Sequence, residues 1–192
     1  MEKKIKIITA NDRPNDVLAL MEEYIDWMIQ NDEEIREVLA NQNLDDEIAD
    51  MNSKYAPPEG RLYLALLDDE PVGCIALTNI SDQIGAGDHL AEELNHIRNT
   101  QTKNSDLFVC ECKRLFVRPS ARGNNIGKML MGTLLSEAKK IGYSYMRLDS
   151  FPFMASAVKM YDRYGFYPIG NYCGNPSENA IFRELDLKGY NP

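Results

Sequence analysis

Glu111-Cys112-Lys113-Arg114-Leu115-Phe116-Val117-Arg118-Pro119-Ser120-Ala121-Arg122-Gly123-Asn124-Asn125-Ile126-Gly127-Lys128 is the stretch from which the rest of the chain can be read. A strand pattern ends at Val117, and a turn rich in Gly and Asn comes next. Ile126, Met129, Leu130, Leu134, Ala138 and Ile141 then recur at helical spacing, which predicts a helix over Ile126–Ile141 capped by Gly142. The first turn of such a helix leaves its N–H groups without intrahelical partners, and the dipole adds partial positive charge there. Gly and Asn accept positive φ, so several amides can converge on one anion. Five basic residues (Lys113, Arg114, Arg118, Arg122 and Lys128) stand against one acid, Glu111, in a chain whose net charge is −9. A diphosphate suits that environment. The structural alternative is a tidy helix start with a solvated basic face.

Working outward, residues 143–150 read as a strand, and Pro152 is placed to open a helix that ends at Gly165. Strands near 166–169 and 180–187 come after it. Upstream, residues 107–117 are a strand, and residues 61–67 and 72–78 form a hairpin about the turn at 68–71. Residues 4–9 are the first strand. A helix then runs to about Ile29, with Val17, Leu20, Met21, Tyr24, Ile25 and Met28 on one face. An acidic helix covers about 33–39, with room for another after Asn43, until Tyr55-Ala56-Pro57-Pro58-Glu59-Gly60 breaks the pattern. Residues 81–106 are a polar insertion with one helical candidate at 90–98, read either as a functional element or as a loose excursion. The order predicts an α/β fold, a mixed sheet with helices on both faces, in one domain spanning 1–192.

Composition narrows the function. Of 192 residues, 44% are hydrophobic and 27% charged, a globular balance. The longest apolar run, Leu62-Tyr63-Leu64-Ala65-Leu66-Leu67, is far short of the ~20 residues of a membrane span. The apolar stretch near the N-terminus is too short and interrupted for a secretory signal, so a cytoplasmic protein is expected. The acidic balance argues against nucleic acid or a membrane as partner and favours a cationic one such as an amine. Cys74, Cys110, Cys112 and Cys173 form no C-x-x-C pair, and with only His89 and His96 beside them no metal site is expected.

Arg122-Gly123-Asn124-Asn125-Ile126-Gly127 resembles the Q/R-x-x-G-x-G/A acetyl-CoA motif of the GNAT superfamily, with Asn125 in place of the middle glycine. Glu111-x-Lys113-Arg114-Leu115-Phe116-Val117 stands upstream of it. Downstream, Ala157-Val158-Lys159-Met160-Tyr161-Asp162-Arg163-Tyr164-Gly165-Phe166 resembles the family's A-x-x-x-Y-x-x-x-G-F signature. The resemblance covers 4–187 apart from the insertion. Pro57-Pro58-Glu59-Gly60-Arg61-Leu62 and Tyr172-x-x-Asn175-Pro176 are similar to one bacterial branch of the superfamily.

The resemblance implies a central sheet of about six to seven strands, splayed between the strands ending near Val117 and Ser150. It implies acetyl-CoA as co-substrate. Leu115, Phe116 and Val117 would pair with the pantetheine arm, and Arg122, Gly123, Asn124, Asn125, Ile126, Gly127 and Lys128 would hold the pyrophosphate. It implies N-acetyl transfer to a primary amine of a small molecule or peptide. Tyr161 matches the position of the acid that protonates the leaving thiolate, although its place beside Ala157 and Val158 also suits a packed core tyrosine. Glu111 is the candidate base, acting through a water and placed on one strand face with Lys113, Leu115 and Val117; a salt bridge to a neighbouring cation is the other reading. Met154 stands where the family often has an Asn that contacts pantetheine, which leaves Ser156 to compensate. Asp149 and Ser150 suit either an acceptor pocket or a helix cap. Tyr24, Trp27 and Tyr172 suit either an aromatic acceptor wall or the core. The function of the alternative class is a GNAT-like module that binds acyl-CoA without catalysis. The acceptor and the oligomeric state, a homodimer included, stay open.

Overall fold

The computed structural model describes residues 3–41, 44–99 and 108–190. Seven strands, β1 (Ile5–Thr9), β2 (Arg61–Leu67), β3 (Glu70–Asn79), β4 (Val109–Val117), β5 (Tyr145–Ser150), β6 (Tyr167–Ile169) and β7 (Ile181–Asp186), form one sheet in the order β1-β2-β3-β4-β5-β7-β6. The helices are α1 (Pro14–Asn31), α2 (Ile35–Asn41), α3 (Leu44–Ala49), α4 (Met51–Lys54), α5 (Ala91–Asn99), α6 (Ile126–Ile141) and α7 (Ala155–Tyr164). Neighbouring strands are antiparallel except β4 and β5, which are parallel and joined through α6. This is the mixed α/β sheet the sequence predicts.

Each face has its own core. Ile126, Leu130, Leu134 and Ala138 of α6 pack with Ile75, Leu77, Cys110, Cys112, Met146 and Leu148. On the other face Val17, Leu20 and Met21 of α1 pack with Leu62, Leu64, Cys74 and Ala76. Cys110 and Cys112 do share the α6 face, and burial pushes both thiols up.

Two features of β4 position the candidate site. The strand pairs with β5 only through Val109↔Tyr145, Cys110↔Met146 and Glu111↔Arg147, so among the described residues no strand pairs with 112–117 on that side. Against β3 the register slips between Cys74↔Phe116 and Ala76↔Lys113, which is a β-bulge with Arg114 at φ 58°. The bulge corrects the expected side-chain alternation. Glu111 and Lys113 share one face, but Leu115 and Val117 lie with the α6 core while Phe116 packs on the α1 side.

Other boundaries shift for local reasons. Pro152 does not open α7. It is the second residue of a turn closed by the Met154 N–H donating to the Phe151 carbonyl at 2.9 Å, a favoured position for proline, and α7 begins at Ala155. The helical candidate in the insertion is α5, one residue later than expected. Leu107 and residues 100–106 of the insertion fall outside the described residues. Its described part is no loose excursion: Leu90 and Leu94 are buried with Ile80, Phe108 and Val109. Asp88 also makes a bidentate ion pair with the buried Arg147, at 2.6 and 2.8 Å.

Candidate active site

The turn between β4 and α6 is built around unpaired amides. Gly123 has φ 84°, and Asn125, the N-cap of α6, adopts the left-handed conformation at φ 59° and ψ 12°. Asparagine meets there the backbone demand usually met by glycine. No side chain caps the helix. The first amide to find a partner is that of Met129, which donates to the Asn125 carbonyl at 3.0 Å; among the described residues the amides of 123–128 donate to nothing. Six successive orphan donors at a helix N-terminus, two with left-handed backbone, are suited to an anion.

This turn forms one wall of a cleft of about 390 Å³ that continues along β4 and reaches the start of α7. Leu115, Phe116, Val117, Arg122, Gly123, Asn125, Ile126, Gly127, Lys128 and Ser156 all line it. Asn124 does not; its Nδ2 donates to the Ala121 carbonyl at 2.8 Å and braces the turn from behind. The Arg122 Nε donates to the Val117 carbonyl at 3.1 Å, and its guanidinium lies 4.9 Å from the Trp27 ring centroid. Trp27 therefore belongs to this cleft and not to one wall with Tyr24 and Tyr172. Tyr24 leans on Phe116, with ring centroids 5.5 Å apart, and Tyr172 packs on Phe182. Phe153, Met154, Met160 and Arg163 also line the cleft. The sequence singles out none of the four for it, and Met154 only as a missing polar contact.

Where β4 and β5 part, several polar groups gather under cover. Tyr161 on α7 is 5% exposed, and its hydroxyl makes no hydrogen bond among the described residues. Burial first, then Cys112, Tyr24 and Asp149, push the phenol well above its ordinary value, so it keeps its proton across the neutral range. Glu111 is buried; its Oε2 lies 3.2 Å from the Lys113 ammonium, and its Oε1 accepts the Tyr172 hydroxyl at 2.7 Å. The salt bridge considered for Glu111 thus exists, with Lys113 as partner. Burial would lower the Lys113 ammonium, but Glu111 and Asp149 outweigh it and hold it above its usual value. Asp149 accepts a hydrogen bond from Asn175 Nδ2 at 2.9 Å. Ser150 does not cap α7; its hydroxyl meets the Met154 sulfur at 3.3 Å.

A residue the sequence does not single out holds the bulge. The Arg114 Nε donates to Glu47 Oε1 at 2.6 Å and Nη2 donates to Oε2 at 3.0 Å. Tyr55 and Lys54 supply two more donors to the same carboxylate, at 2.7 and 2.8 Å. A left-handed Arg is costly on its own, and this buried fork is what fixes it. Burial would raise the Glu47 carboxyl, but hydrogen bonds and charge from Arg114 and then Lys54 hold it well below its ordinary 4.5. A depressed carboxylate adds stability above its unfolded value and loses it as pH falls toward the folded one. The unfolding temperature of the wild type is therefore expected to fall more steeply below about pH 4.5 than that of Glu47→Gln. Parallel curves for the two proteins would remove Glu47 from the account of acid stability.

Comparison with known proteins gives the family and the fold. The model of the acetyltransferase (GNAT) family matches residues 21–166. An uncharacterised N-acetyltransferase of Dictyostelium discoideum is 28% identical, over 96% of this chain and 99% of its own. Another, of Schizosaccharomyces pombe, is 30% identical over 90% of this chain and 88% of its own. Among solved structures, the PaiA N-acetyltransferase of Thermoplasma acidophilum in complex with coenzyme A superposes with a TM-score of 0.61 at 18% identity, covering 97% of this chain and 99% of that one.

Proposed function

Because this chain belongs to the acetyltransferase (GNAT) family, we propose that the cleft between the β4–α6 turn and the start of α7 holds acetyl-CoA, and that the chain transfers the acetyl group to a primary amine. The observation that carries the reading is the run of unpaired amides over 123–128. The residues present fit a pyrophosphate: the donors converge at a helix start, and Gly127 puts no side chain in the way. Arg122, Lys128 and Arg163 add positive charge along the same cleft. The unpaired edge of β4 over residues 112–117 offers backbone groups to the pantetheine arm.

Bound there, acetyl-CoA supplies an activated acyl group and a thiol that can leave. The chain's own residues handle protons and charge. Glu111, through a water, accepts a proton from the acceptor ammonium, whose pKa is about 10. The freed nitrogen lone pair forms the C–N bond as the C–S bond breaks. A backbone amide near Phe116–Val117 stabilises the charge that develops on the carbonyl oxygen. Tyr161 gives its phenolic proton to the departing sulfur and regains one from the new amide nitrogen by way of solvent. Of the two protons the ammonium loses, one replaces the Tyr161 proton given to sulfur and the other passes to solvent.

A phenol on a buried ring that keeps its proton, with no hydrogen-bond partner among the described residues, favours catalysis over cofactor binding alone. A cytoplasmic setting suits the four free cysteines, of which Cys173 is exposed. No helix among the described residues is long and apolar enough to cross a membrane. Thiol release from acetyl-CoA across a panel of primary amines tests the reading. Turnover with at least one amine is expected. Tight acetyl-CoA binding with no turnover on any of them would mark a binding module instead.

A further inference from the structure

The segment joining β6 to β7 carries the Tyr172-x-x-Asn175-Pro176 pattern, which the cofactor cleft does not use. It has no regular secondary structure and is tied to itself. Asn171 Nδ2 donates to the Asn175 carbonyl at 2.8 Å, and the Asn175 N–H donates back to Asn171 Oδ1 at 3.2 Å. From this strap two side chains reach the two parting strands. Tyr172 donates to Glu111 on β4, and Asn175 donates to Asp149 on β5.

The Tyr172 ring is held as firmly as its hydroxyl. The Arg147 guanidinium lies 5.3 Å from the ring centroid, and Phe182 meets it edge-on at 6.0 Å. Arg147 is fixed in turn by Glu184 at 2.7 Å and by the two hydrogen bonds to Asp88, so the insertion supports the strap from outside. Glu111 shows what this arrangement is for. Lys113, on the same strand, restrains one carboxylate oxygen at 3.2 Å; the other would be free to swing without Tyr172. A buried tyrosine hydroxyl needs some acceptor, and the one met here is the carboxylate read above as the base.

We propose that Tyr172 is a positioning residue that sets the Glu111 carboxylate for the acceptor amine, with the insertion bracing it through Asp88 and Arg147. The inference rests on the reading of Glu111 as the base.

The test is a double-mutant cycle of Tyr172→Phe and Glu111→Gln, read by kcat and KM on one amine found in the thiol-release panel. Tyr172→Phe keeps the ring and its contacts, so the acetyl-CoA affinity measured by calorimetry should stay at the wild-type value, while the unfolding temperature should fall modestly because the buried Glu111 Oε1 loses its donor. Its kcat should fall roughly tenfold, the scale of one hydrogen bond to a charged group, with KM for acetyl-CoA unchanged. In the Glu111→Gln background the same change should cost nothing further, because the carboxylate it positions is gone. Wild-type kcat in Tyr172→Phe, or losses that multiply in the double variant, would overturn the positioning role. Wild-type kcat in Glu111→Gln would instead overturn the role of Glu111 as base, and the inference with it.

Discussion

Gly127→Glu is expected to leave the protein folded and to weaken acetyl-CoA binding on the order of 100-fold or more. A Cβ at this position would stand 4.0 Å from both Met160 Sδ and Val117 Cγ2, which is ordinary contact, so the fold has room for the side chain. An acid in the first turn of a helix is also favoured by the dipole, so stability is not what this variant loses. What it does lose is the match to the ligand. A carboxylate is placed among the six orphan amides where a pyrophosphate would sit, competing for the same donors and repelling the same charge. Calorimetry with acetyl-CoA and a thermal melt, done together, check both halves. Unchanged affinity would contradict the placement of the pyrophosphate at this turn.

Tyr161→Phe is expected to lower kcat about 100-fold or more while leaving the dissociation constant for acetyl-CoA unchanged. The variant removes one oxygen from a buried ring that packs against Phe166, with centroids 5.7 Å apart, and the ring contact survives. Since the hydroxyl makes no hydrogen bond among the described residues, removing it strands no partner, and stability should hold. The effect should therefore appear in turnover alone. A kcat within twofold of wild type would make Tyr161 a core residue and return the protonation of the thiolate to solvent.

Much of the β4–α6 turn is legible in the amino-acid sequence alone. The helix over Ile126–Ile141 and its left-handed Gly142 cap can be read from spacing and a single glycine, because both are local. The turn that leads into it is readable for the same reason: Gly123 and Asn125 are residue types that tolerate the angles the backbone takes there. The bulge at Arg114 is not readable, since arginine carries no preference for positive φ. What holds it there is Glu47, 67 residues away, and periodicity cannot see that distance. One unseen residue of bulge reverses the face of Leu115 and Val117, as any register slip does. Pro152 suits both the first position of a helix and the second of a turn, and only the Phe151–Met154 hydrogen bond decides between them. The insertion can be read either as a functional element or as a loose excursion, because its polar residues outnumber its apolar ones. Their partners, Arg147 and Glu184, are buried on distant strands where charged residues are seldom expected.

The most direct measurement is an amide ¹⁵N–¹H titration of the protein with coenzyme A. The amides of residues 123–128 are predicted to show the largest shifts, saturating together at one dissociation constant, and Gly127→Glu should abolish them. Shifts confined to other parts of the sheet, or none at saturating ligand, would contradict the claim that these unpaired donors form the cofactor site.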